Sequence, residues 1–239
     1  NLKISNMKIL VLGDGLLGGE IIKQTGWDYL SRKKDGINVS SFDGWMDKML
    51  KYDVIVNCIA NTNTYSDDKE GHLNLNYHFV KHLVKYCNET GKKLIHISTD
   101  YIYANSDNDR KETDVPVHHS SWYSCSKLLG DFHVELECEN HLIVRLSHKP
   151  FPFPYDEAWD NVLTNADYTP KIVELLVKLI NNNSVGTFNL GTEKKSIYGL
   201  AKQTKEVKRV YSPENVPKNI SMNIEKFKKE LLHLYYDKD

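Results

Sequence analysis

Tyr123 and Lys127 stand four positions apart at the start of a stretch with helical periodicity. That spacing puts both side chains on one helical face, about one turn apart. A lysine ammonium near a phenol favours the phenolate and draws its pKa below the usual value of about 10. Such a tyrosine can give a proton to a carbonyl oxygen as hydride arrives at the carbon, or take one in reverse. Ser98 and Thr99 lie upstream, just past a predicted core strand. A hydroxyl there can hydrogen-bond the same oxygen and fix the substrate's pose. Taken alone, a Tyr-x-x-x-Lys pair in a chain with 14 tyrosines reads first as an exposed helical contact. Its position behind a second motif makes it a candidate site.

That second motif opens the chain. Residues 8–12 read Lys-Ile-Leu-Val-Leu, an apolar run of the kind a buried parallel strand shows. Gly13-Asp14-Gly15-Leu16-Leu17-Gly18 follows at once, and a helical pattern begins near Leu16. Strand, tight turn and helix are the context in which GxGxxG binds a dinucleotide. Gly13 permits the turn, Gly15 lets a pyrophosphate approach the backbone, and Gly18 allows close helix–strand packing. The free N–H groups at the helix start, from Leu16 and Leu17 on, would face the phosphates. The bland alternative is a glycine-rich turn in another α/β protein. About 20 residues beyond such glycines an acidic side chain usually grips a ribose hydroxyl. Here the chain has Ser31-Arg32-Lys33-Lys34, with Asp35 as a weaker ribose ligand. Arg32 and Lys33 suit a 2'-phosphate, which favours NADPH with NADH as the alternative. A basic surface loop is the structural reading of the same residues.

The elements that must position these groups alternate. A short second strand is expected at 27–30. A core strand at 53–58 ends in Ile59-Ala60-Asn61 beside the expected cofactor crevice, where Ala60 would sit. Helix is expected over 73–86, stopped by Gly91, then a strand at 93–97, a long helix at 124–139 and a strand at 142–144. Strands alternating with helices through the first 145 positions predict a Rossmann-type, doubly wound parallel sheet of the α/β class. Pro150, Pro152 and Pro154 break the rhythm, because alternating prolines fit neither a helix nor a central strand. A dinucleotide-binding domain over 7–147 is therefore expected. Over 148–239 a small substrate lobe should mix with returning Rossmann elements: a helix at 172–180, a strand at 186–190 and a last helix at 223–236. The aromatic set Phe151, Phe153, Tyr155 and Trp159 could wall a pocket, with plain core packing the simpler reading.

Composition narrows the partners. Lysine and arginine number 31 against 32 acidic residues, for a net charge of -1, so no field draws the protein to nucleic acid or an acidic membrane. Lys202, Lys205, Lys208 and Arg209 read as a solvated face. No window has the 18 or more apolar residues a span needs. Residues 1–6 lack the apolar stretch of a signal peptide and look like a short leader before Met7. Cys58, Cys87, Cys125 and Cys138 form no CxxC pair, so neither zinc nor a disulfide framework is indicated, and a cytoplasmic location is expected. His96 and His148 could approach the site, and His118-His119 precede the Tyr123 helix, but no metal-ligand spacing stands out.

The combination of Gly13-x-Gly15-x-x-Gly18, Asn57-Cys58-Ile59-Ala60, Ser98-Thr99-Asp100-Tyr101-Ile102-Tyr103 and Tyr123-Ser124-Cys125-Ser126-Lys127 resembles the extended short-chain dehydrogenase/reductase superfamily. Within it the resemblance is to the dTDP-4-dehydrorhamnose reductase family, including its UDP-4-keto-6-deoxyglucose epimerase/reductase relatives. It covers 7–147 and returns weakly at 167–170 and 186–190. The resemblance implies an NADPH-dependent reductase acting on the 4-keto group of a nucleotide-diphosphate 6-deoxy sugar, and a homodimer. By matching motif, Thr99 is the catalytic hydroxyl, Tyr123 the acid, Lys127 its partner and a ribose ligand, and Asn76 the lysine's helix support. Ser98, Asp100, Tyr101 and His148 fall near the substrate, His148 where the family has an aromatic residue. The stretch between His148 and Asp167 is short for the family, so the substrate half looks trimmed. The alternative that follows is a non-catalytic NADP-binding regulatory subunit. A dehydratase would want a second acid after Asp100, and Tyr101 stands there instead.

Overall fold

The computed structural model describes residues 7–103, 110–114 and 121–236, with side chains as far as 232. In the first half the elements are β1 (Ile9–Leu12), α1 (Leu16–Thr25), β2 (Asp28–Leu30), α2 (Arg32–Asp35), β3 (Val54–Asn57), α3 (Lys69–Leu73), a π turn (Asn74–His78), α4 (Phe79–Thr90), β4 (Lys93–Thr99), α5 (Trp122–Glu137) and β5 (His141–Leu146). The second half contributes β6 (His148–Lys149), β7 (Glu157–Trp159), β8 (Leu163–Thr164), β9 (Asp167–Tyr168), α6 (Thr169–Asn181), β10 (Gly186–Asn189), β11 (Lys195–Ser196), α7 (Ile197–Ala201), β12 (Lys208–Val210) and α8 (Glu225–Tyr236).

Six strands form one parallel sheet in the order β2-β1-β3-β4-β5-β10. The chain winds outward from β1 to β2 and then crosses to β3, so the winding reverses between β1 and β3. At such a switch point the connections leave in opposite directions and open a crevice at the strands' carboxyl ends. All four residues of β1 are buried because both faces are covered. Ile9 and Val11 pack with α1 and α6, whereas Leu10 and Leu12 point to the opposite core with α4. The expected doubly wound sheet is thus present, and the last strand comes from beyond residue 148.

Two stretches depart from the expected alternation. Between β2 and β3 no crossover helix of 10 to 16 residues forms. Four-residue α2 and two 3-10 segments, Val39–Gly44 and Met46–Met49, take its place. This stretch covers the sheet with buried Phe42, Trp45 and Met49; Phe42 packs edge-on and Trp45 tilted against Phe79 of α4. The helix expected at 73–86 starts earlier, where the Asp68 side chain accepts the Gly71 N–H, and carries the π turn before α4. Gly91, at φ 64, ends it as expected.

Beyond β5 the connections to the sheet are α6, which packs on α1, and β10 beside β5. α8 packs on β10 and α6, with Phe227 in the core beside them, and two-stranded pairs between these elements build a small lobe around Phe153, Tyr168, Ile197, Leu200 and Ile220. The aromatic set divides: Phe153 is buried there, Trp159 packs beside it, and Phe151 and Tyr155 are exposed. The basic face is neutralised by its neighbours, since Lys205, Lys208 and Arg209 pair with Asp156, Glu157 and Asp160. Among the described residues no helix is long and apolar enough to cross a membrane.

Candidate active site

The glycine turn lies at the switch point. Gly13 has φ 94, a conformation open to glycine, and its N–H donates to the Leu30 carbonyl at 2.9 Å. This bond sets the turn against the end of β2, so exposed Arg32 and Lys33 follow immediately beside it. A Cβ on Gly18 would fall 2.0 Å from the Gly13 carbonyl oxygen, so only glycine lets α1 sit this close to the turn. Around Gly15 the space is open, with no atom within 4 Å of where a Cβ would be. No side chain caps the start of α1, leaving its backbone donors for an anion. Leu16 is half exposed, whereas the Leu17 side chain is buried in the core, which leaves only its backbone to face the crevice. Ala60 is half-buried in the loop after β3, and its neighbour Ile59 would be 3.1 Å from a Gly13 Cβ. These residues form a cradle with open space and uncapped backbone donors together at the turn.

Two strands away, β4 delivers Ser98 and Thr99 to its carboxyl end, and α5 brings Tyr123 back over them. Thr99 accepts the Tyr101 N–H at 3.2 Å, and its hydroxyl acts on the Tyr123 phenol, lowering its proton affinity. Tyr101 packs edge-on against Tyr123, with centroids 6.1 Å apart. The Thr99 hydroxyl donates to Asp100 Oδ1 at 3.4 Å, while Asp100 Oδ2 and Ser98 Oγ are buried without partners. Burial pushes the Asp100 carboxyl up to about 7, against the pull of the Lys149 charge. His148 stands apart from this group: its Nδ1 is 3.0 Å from the Thr169 hydroxyl, and burial lowers it to about 4, helped by Lys149.

Lys127 lies one turn below Tyr123 and donates to the Ile97 carbonyl at 2.6 Å. Burial lowers its ammonium to about 8, partly offset by Asp131 and Cys58. The expected acidification of the phenol by this lysine is not what the arrangement delivers. Burial raises Tyr123 to about 12, the Thr99 hydroxyl opposes that rise, and the charges acting on the phenol are those of Asp100 and Asp131. The reason is local: Lys127 is drawn to a strand carbonyl, and the phenol is deep in the protein. Asn76, on the π turn, is fully buried and bridges the Asn61 backbone and Ser126 Oγ. Ser126 in turn donates to the Tyr123 carbonyl at 3.0 Å, so Asn76 braces α5 at the turn between Tyr123 and Lys127 rather than bonding the lysine.

Several side chains at the site carry no sequence signal. Tyr65, in the loop after β3, reaches across to place its hydroxyl 3.2 Å from that of Tyr101. His72 of α3 is buried, with both ring nitrogens unpartnered and its ring 6.2 Å from Tyr123. Neither follows from spacing, because each meets the site through the fold. His96 is fully buried beneath it, as a core histidine would be. His118 and His119 lie outside the described residues.

A switch-point glycine turn, hydroxyls at the end of β4 and a Tyr-x-x-x-Lys pair on the following helix together define the extended short-chain dehydrogenase/reductase class. Residues 7–149 match the family described as RmlD substrate binding domain, and the chain belongs to that family. A dTDP-4-dehydrorhamnose reductase of Shigella flexneri is 36% identical over 103 residues, covering 42% of this chain. The match spans 34% of that relative's length. Among solved structures, a hypothetical dTDP-4-dehydrorhamnose reductase from Sulfolobus tokodaii superposes with TM-score 0.79 at 22% identity, over 93% of this chain and 94% of that one. The Bacillus anthracis dTDP-4-dehydrorhamnose reductase in complex with NADP gives TM-score 0.77 at 16% identity, over 97% and 98%. The small C-terminal lobe therefore has counterparts in these folds.

Proposed function

We propose that this protein is an NADPH-dependent reductase of a nucleotide-linked 4-keto-6-deoxy sugar, of the dTDP- or UDP-rhamnose type. The observation that carries the reading is the placement of Thr99 at the carboxyl end of β4 and of Tyr123 and Lys127 one turn apart on α5, with Tyr101, two residues after Thr99, edge-on to Tyr123 at 6.1 Å. The family and the relatives' names point to the same chemistry. The cradle fits a dinucleotide on its own terms, through open space at Gly15 and uncapped donors at α1. Gly13, Gly15, Gly18 and the Ala60 loop would hold the pyrophosphate side, and Arg32 with Lys33 would meet a 2'-phosphate. When bound, the nicotinamide supplies the hydride.

The residues of the chain supply the rest. A phenol raised to about 12 stays protonated at neutral pH, which is the state a ketone reduction needs in its proton donor. Tyr123 gives that proton to the carbonyl oxygen, and Thr99 donates a second hydrogen bond to the same oxygen. Lys127, charged below about pH 8, lies under the phenol as the phenolate forms and can reach a ribose hydroxyl. Asp100, Tyr101 and Ser98 line the sugar side. The four cysteines are free thiols, which suits a reducing cytosol. The test is NADPH oxidation with dTDP- and UDP-4-keto-6-deoxyglucose, with the product identified by NMR. Turnover of one of them to the 4-hydroxy sugar is expected. Tight NADPH binding with neither sugar reduced would favour the non-catalytic reading.

A further inference from the structure

A line of buried polar groups runs beneath the site from α5 to the cofactor-side loop, and the donors at its Asn57 end fix where the proton of its one imidazole sits. Arg145 Nε, on β5, donates to Asp131 Oδ2 at 3.1 Å. Asp131 Oδ1 faces His96 Nε2 at 3.6 Å, and neither of those two atoms has a hydrogen-bond partner. On the other side of the ring, His96 Nδ1 lies 3.4 Å from Asn57 Nδ2. Asn57 Oδ1 accepts the Ile59 N–H at 3.1 Å. Both His96 and Asp131 are within 1% of full burial.

The polarity follows from what each group can do. A backbone N–H only donates, so the amide atom it meets is the oxygen, and the Asn57 NH2 must face His96. An amide NH2 also only donates, so His96 Nδ1 must accept and carries no proton. Burial and the nearby Lys127 charge hold the imidazole well below its ordinary range, so the ring is neutral. Its one proton is then on Nε2, aimed at Asp131. The groups around the ring are Lys127 and Asp131 from α5, Asn57 from β3, and Arg145 beyond Asp131 on β5.

We infer that His96 is a positioning residue: as the neutral Nε2–H tautomer it ties the helix bearing Tyr123 and Lys127 to the loop that packs on the glycine turn. Asp131 lies one turn after Lys127 on α5 and opposes the loss of that lysine's charge. Asn57, at the other end, fixes Ile59, whose side chain would be 3.1 Å from a Cβ on Gly13. One imidazole thus sets the register between the proton-donor helix and the cofactor cradle. The tautomer stands on the Asn57 hydrogen-bond geometry, with burial of the ring in support, and does not depend on the reductase reading. Its bearing on cofactor binding rests on the reductase reading.

Two measurements on the full chain test this. In 15N-histidine NMR, the resonances lost in His96→Gln should show a pyridine-type Nδ1 and a pyrrole-type Nε2 at neutral pH. A proton on Nδ1, or an imidazolium, would overturn the assignment. In calorimetry with NADP+, His96→Asn keeps an acceptor toward Asn57 and should bind within a few-fold of wild type. His96→Leu leaves the Asn57 amide unpaired and should weaken binding about tenfold. Wild-type affinity in a folded His96→Leu would overturn the positioning role, and if that variant does not fold the NMR result still decides the tautomer. No NADP+ binding by the wild type would refute the reductase reading while leaving the tautomer test intact.

Discussion

Gly15 and Gly18 should differ in how the same added methyl affects stability, while both should lose cofactor affinity. In Gly18→Ala the new Cβ would sit 2.0 Å from the Gly13 oxygen and 3.0 Å from its carbonyl carbon, both backbone atoms. Contacts of this kind do not fall below 3.0 Å, so α1 and the turn must part by about 1 Å. Overpacking costs about 1–3 kcal/mol, against up to about 1 kcal/mol gained in helix propensity. A net loss of up to about 2 kcal/mol should lower Tm by up to about 8 °C in a chain of this size. The same shift moves the phosphate-facing N–H groups, and a 1 Å misplacement can cost about 100-fold. Gly15→Ala meets no atom within 4 Å, and the native φ of -66 is open to alanine. Its stability should stay within about 1 kcal/mol of wild type, because the loss of a glycine N-cap and the stiffer unfolded chain roughly cancel. Its methyl nevertheless points into the space a pyrophosphate would take, so NADP+ affinity should fall. Thermal melts and NADP+ calorimetry on the two variants separate these effects. Wild-type affinity in either variant would refute the cradle as the dinucleotide site.

Arg32→Ala should weaken NADPH more than NADH, read as the ratio of the two Kd values, because the 2'-phosphate loses its counter-charge. An equal loss for both would contradict that role. Asp100 holds its proton up to about pH 7 in the folded chain but only to its ordinary 3.8 when unfolded. Its contribution to stability is therefore full below pH 3.8 and is lost as pH rises to about 7. Asp100→Asn cannot ionise, so its stability relative to wild type should improve between pH 5 and pH 8 by up to about 3 kcal/mol in urea unfolding. A constant difference across that range would show that the carboxyl is not held protonated. If the Lys127 charge supports turnover, kcat/KM should decline above about pH 8, where burial strips its proton. A flat profile to pH 10 would remove the lysine's charge from the mechanism.

The parts legible in the sequence are those that local geometry demands. The glycine turn could be read because a positive φ at Gly13 and the close approach at Gly18 admit little else. Thr99, Tyr123 and Lys127 could be placed because a strand end and a one-turn spacing fix their positions before any tertiary contact is known. What the sequence left hidden depends on contacts far apart in the chain. The π turn holds where the Asn76 carbonyl meets α5, 2.4 Å from where a Gly130 Cβ would be. The missing crossover helix after β2 is compensated by Phe42 and Trp45 packing edge-on and tilted against Phe79 of α4, a packing solution with no periodic signature. The phenol's proton affinity does not follow from the lysine's spacing, because burial dominates and the ammonium is bound to the Ile97 carbonyl. Tyr65 and His72 reach the site only once the sheet has formed.

Tyr123→Phe removes one buried hydroxyl and leaves the glycine cradle untouched. With a 4-keto-6-deoxy nucleotide sugar that the wild type reduces, kcat should fall about 100-fold or more, while the Kd for NADPH changes little. Turnover by Tyr123→Phe at the wild-type rate would contradict the assignment of this phenol as the proton donor.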